Sequence, residues 1–62
     1  MYEKLRAKRK ESKTTVKTLC GLIGLKTDPA YFKKETGITD FAVKEAIKIA
    51  KHFNATVEDL FD

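Results

Sequence analysis

Hydrophobic residues in this chain recur at helical intervals, and few β-branched stretches alternate as a half-buried strand would. The clearest run is Val16, Leu19, Cys20 and Ile23, spaced i, i+3, i+4 and i+7 on one helical face. Gly24 is placed to end that segment, because glycine takes a left-handed conformation without a Cβ penalty. Upstream, Tyr2 to about Lys13 reads as a charged helix anchored by Leu5, with Tyr2 and Arg9 toward the same side. The hydroxyls of Ser12, Thr14 and Thr15 suit the cap of the helix that follows.

A third helix opens at Asp28, whose carboxylate can cap free N–H groups, with Pro29 at the first helical position. It runs through Ala30–Glu35 and stops at Gly37. A fourth opens near Asp40 and carries a stripe of Phe41, Ala42, Ala46, Ile49, Ala50 and Phe53, with Val43 and Ile47 at its margin. Asn54 suits the turn after it, and Thr56 with Asp59 forms a capping-box pattern before a last short helix, Val57–Phe61. The expected fold is therefore all-α: a bundle of about five short helices in one domain, residues 1–62. Its predicted core is Leu5, Leu19, Ile23, Leu25, Tyr31, Ile49 and Phe53.

Size narrows the function. A chain of 62 residues buries only about 60% of its unfolded surface. It has little room for a deep pocket, and no nucleophile–base pair or phosphate loop is visible, so the sequence reads as no enzyme, with no small-molecule substrate. One cysteine and one histidine cannot supply a closed metal site, so no metal or other cofactor is expected. Cys20 reads as a small core residue and fits a reducing cytoplasm. No apolar run approaches the ~20 residues of a membrane span, and the basic N-terminus lacks the apolar region of a signal peptide. The initial Met and the closing helix lead to the expectation of a complete protein.

Charge changes the picture further. Residues 1–34 hold 10 basic and 3 acidic side chains, and residues 35–62 hold 3 basic and 6 acidic. A basic N-terminal half attracts polyanions, although a lysine-rich face is also compatible with simple solvation.

With these elements in order, the chain resembles the Cro and phage-repressor (xenobiotic-response-element) type of helix-turn-helix domain over nearly its whole length. The strongest stretch is "EAIKIAKHFNATVEDLF", together with "YEKLRAKRKES", Cys20 and Gly24 in the turn region, and "KKETG". The resemblance implies a lambda-repressor-like fold whose third helix lies in the major groove. Base-facing positions would be Lys26, Thr27, Asp28, Pro29, Phe32 and Lys33, with Lys33 suited to guanine O6 and N7. Phosphate contacts would come from Thr15, Lys17, Lys34 and Thr39, and Arg9 would pair structurally with Glu35. Tyr31 and Phe32 are adjacent and cannot both face inward; Tyr31 is assigned to the core. Phe32 either packs on a neighbouring helix or stands exposed toward a thymine methyl or a protein.

The function so implied is a sequence-specific double-stranded-DNA-binding regulator, a small phage or prophage Cro-like repressor acting as a homodimer on an operator. Phe41, Leu60 and Phe61 are the apolar candidates for the dimer contact. Some positions depart from the family pattern: Val16 replaces the glutamine that usually opens the second helix, Asp28-Pro29 replaces donor-rich side chains, and Lys8 stands at a position more often apolar. Val16, Asp28, Pro29 and an exposed Phe32 would suit an alternative, a protein-interaction module on the same fold such as an anti-repressor, while the basic N-terminal half argues the other way.

Overall fold

The first two helices meet at a left-handed kink. In the computed structural model, which describes residues 1–62, α1 spans Glu3–Glu11 and α2 spans Val16–Ile23. α1 is shorter than the pattern suggested because Ser12 turns its hydroxyl back onto the Lys8 carbonyl at 2.7 Å, and Lys13 adopts φ 57°. Thr15 caps α2 as anticipated, accepting from the Thr18 N–H at 3.1 Å. Gly24 closes it at φ 77°, and the Leu25 N–H reaches back to the Cys20 carbonyl at 2.9 Å.

α3 spans Asp28–Thr36 and ends at Gly37, φ 92°. Its cap is Thr27, whose hydroxyl accepts from Ala30 N–H at 3.4 Å. Asp28 is thus the first helical residue and Pro29 the second, one position later than expected. α4 spans Val43–His52, beginning later than the apolar stripe implied. Glu45 folds back to accept from the Ala42 N–H at 2.8 Å, which sets the start at Val43. Phe41 and Ala42 consequently lie in the connection, with Phe41 half-buried and Ala42 exposed. α5 spans Val57–Phe61. Thr56 and Asp59 exchange both bonds of the expected capping box at 3.1 Å, and the backbone and hydroxyl of Thr56 hold the exposed Asp59 carboxyl below its usual range.

The five helices form one bundle without strands. α2 packs on α3 and α4, while α5 packs on α1 and α4. Leu5, Leu19, Tyr31 and Ile49 have no exposed surface and make the centre of the core. Ile23, Leu25 and Phe53, expected there too, are only half-buried and lean on it from outside. Cys20, Ala46, Ala50 and Leu60 fill the interior instead. Small residues serve where short helices approach closely; larger ones would hold them apart.

Leu60 therefore closes the core, which corrects its assignment to a dimer contact. Phe41 and Phe61 lean on the same core. Their rings stack edge-on at 5.1 Å, and each meets Tyr2 in the same way at 5.5 and 5.4 Å. This aromatic cluster ties the N-terminus, the α3–α4 connection and α5 together. No helix is long and apolar enough to cross a membrane.

Candidate nucleic-acid interface

α3 has two faces of opposite character, set by helical geometry. Tyr31 and Glu35 are four residues apart and share the inward face. The side chains of Lys33, Phe32 and Thr36 stand on exposed surface.

The buried face is unusual in holding a carboxylate. Glu35, with its side chain 2% exposed, receives Arg9 in a two-point ion pair, Nε to Oε2 at 2.9 Å and Nη2 to Oε1 at 3.0 Å. The Tyr31 hydroxyl donates to the same Oε2 at 2.6 Å. Burial by itself would raise the Glu35 carboxyl; the hydrogen bonds from Arg9 and Tyr31 outweigh it and hold the group below its ordinary value. The same contact raises Arg9, chiefly through its hydrogen bond to Glu35. Burial first, and then the bond to Glu35, pushes the Tyr31 phenol well upward. At neutral pH Arg9 and Glu35 are charged, Tyr31 is neutral, and no buried polar atom of the three lacks a partner. The triad joins α1 to α3 as anticipated for Arg9 and Glu35. Tyr31 is a third member that the i, i+4 spacing to Glu35 could have revealed.

The other flank of α3 is fastened to α4. Lys34 donates to Glu45 Oε1 at 3.0 Å and to the Asp40 carbonyl at 2.9 Å, and its ammonium lies 5.9 Å from the centre of the Phe41 ring. Burial tends to raise Glu45, but the Ala42 N–H and Lys34 hold it below its usual range. Lys34 is therefore half-buried and engaged within the protein, with only one donor left for anything outside. No local pattern announces this link, because the partners are 11 residues apart across a loop.

The expected base-facing residues Lys26, Thr27, Asp28, Pro29, Phe32 and Lys33 are all exposed, on α3 or the turn leading into it. Thr27 is partly occupied as the α3 cap, and its carbonyl accepts from the buried Cys20 thiol at 3.5 Å. Burial, assisted by Asp28, raises that thiol and keeps it protonated. Among the expected phosphate contacts, Thr15, Lys17 and Thr39 are exposed and Lys34 is not fully so. The Thr15 hydroxyl is 2.9 Å from that of Thr18, an exposed partner at the start of α2 that the sequence reading passed over. Val16, just inside α2, packs against the core.

Only Arg9 and Lys34 among the basic side chains form ion pairs. The remainder, concentrated in residues 1–34, have no carboxylate partner and contribute a positive field around α1, α2 and the start of α3. Comparison with family models finds no match, and neither curated proteins nor solved structures yield one.

Proposed function

We propose that this chain is a sequence-specific double-stranded-DNA-binding transcriptional regulator, similar to small Cro-like repressors and acting in the cytoplasm. α3 enters the major groove of an operator, and occupancy excludes polymerase. The observation that carries this reading is the mounting of α3: its two flanks are fastened to α1 and α4 by Arg9–Glu35 and Lys34–Glu45, while Phe32 and Lys33 stand exposed. A rigidly held helix in the basic half of the molecule suits groove reading, since the ordering cost is met on folding. Lys33 donates to guanine O6 and N7, while Thr15 and Lys17 at the start of α2 and Thr39 in the following loop contact phosphates. Two copies bind an inverted repeat, which doubles both sets of contacts.

A second reading, a protein-interaction module, is favoured by two exposed apolar side chains that follow α3 in the chain. Ile38 is 74% exposed and Val43 76% exposed. Duplex selection from a random pool decides between them. Enrichment of an inverted repeat supports the regulator, retention without enrichment reduces the activity to backbone binding that weakens steeply with salt, and absence of retention favours a protein partner.

A further inference from the structure

We propose that Phe32 is a specificity-determining residue that packs on the 5-methyl group of a thymine in the major groove. The inference rests on the DNA-binding reading above and names what one position of that surface recognises. Phe32 is 42% exposed, the only large apolar side chain left open on α3.

Its ring is held on two sides. Tyr31 meets it edge-on, with ring centres 5.8 Å apart and planes at 73°, and the Arg9 guanidinium lies 5.6 Å from its centre. Both neighbours are themselves immobilised, Tyr31 by burial and its bond to Glu35, Arg9 by two bonds to the same carboxylate. The open part of the ring is thus presented in a fixed place on α3.

Chemistry then selects the target. Base edges in the major groove display donors and acceptors, and the thymine methyl is the one apolar group among them. A phenyl ring offers no partner to N7, O6, N6 or N4, and covering any of these leaves it unsatisfied. Against the methyl group, the same ring removes apolar surface from water on both sides. A purely structural role for Phe32, shielding the Arg9–Glu35 pair from water, predicts no dependence on that methyl.

The test uses the full chain and the duplex most enriched from a random pool, resynthesised with deoxyuridine replacing each thymine in turn. This change deletes the methyl group and preserves base pairing. At one position per half-site, affinity measured by fluorescence anisotropy falls about fourfold, the worth of one buried methyl group. Phe32→Ala binds the thymine and uracil duplexes equally at that position. Phe32→Gln, which keeps a long side chain over Arg9, serves the same purpose if the alanine variant does not fold. Insensitivity of the parent protein to every replacement overturns the proposal while leaving DNA binding intact, as does a sensitivity that persists in both variants. Failure to retain any duplex overturns the DNA-binding reading itself, and this proposal with it.

Discussion

Arg9 on α1 and Glu35 on α3 meet fork to fork across 26 residues of sequence, with side chains 12% and 2% exposed. Because Tyr31 completes the coordination of the carboxylate, removing one charge leaves the other stranded in a dry site. Arg9→Ala is expected to lose about 3 kcal/mol of stability. For a domain this small, that lowers the melting midpoint by roughly 12 °C or more. Thermal unfolding followed by circular dichroism measures it, and a midpoint within two degrees or so of the parent would show that the pair contributes little.

The carboxylates of the two ion pairs set the acid limit. Glu35 and Glu45 are held below the ordinary glutamate value near 4.3. A carboxylate depressed in the folded state contributes stability above its unfolded pKa and loses it as pH falls through the folded one. Stability is therefore expected to be level above about pH 5 and to decline below about pH 4. Tyr31 has the opposite sign: its phenol is raised on folding, so its contribution is full below about pH 10 and is lost as pH rises further. Denaturant midpoints measured between acid and alkaline extremes test both limbs, and Tyr31→Phe shrinks the alkaline one, leaving the share of the buried Cys20 thiol, which is also raised on folding.

Two glycines in and beside α2 respond to alanine with opposite signs. Gly21 lies inside the helix with open space where a Cβ would go, so Gly21→Ala gains about 1 kcal/mol through helix propensity. Gly24 has φ 77°, and Gly24→Ala loses about 1–2 kcal/mol to left-handed strain despite equal room. Urea midpoints that moved in the same direction for both would contradict the argument.

Adjacent lysines on α3 separate function from stability. Lys33→Ala should weaken retention on duplex DNA and leave the melting midpoint within about two to four degrees, since exposed surface changes rarely exceed ~0.5 kcal/mol. Lys34→Ala breaks the links to Glu45 and the Asp40 carbonyl and should cost about 1 kcal/mol. Melting curves and filter retention run on both variants read the two effects side by side.

Lys17 supplies a check on the phosphate assignment. Lys17→Ala should weaken binding to all duplexes evenly and reduce the salt slope by about one. A change in which sequences are enriched would instead place Lys17 at a base.

Helix existence was legible from local signals because those signals act within one turn. Thr15 and Gly24 bracket α2, and Thr56 with Asp59 opens α5, as read from residue order alone. The start of α4 was misplaced, since apolar Phe41 and Ala42 continue the helical period, while the Glu45 carboxylate captures the Ala42 N–H and sets the boundary after them. Periodicity records which residues can face a core; it does not record where the backbone changes course.

The candidate site divides in the same way. Sequence by itself determined five helices, a basic N-terminal half and the inward placement of Tyr31, because helical period and charge are properties of residue order. Only the tertiary structure decided that Lys34 is tied to α4, that Leu60 belongs to the core, and that Phe32 is pinned beneath Arg9. These depend on which residues distant in the chain come within a few ångströms of each other, and that is settled by packing the whole bundle at once.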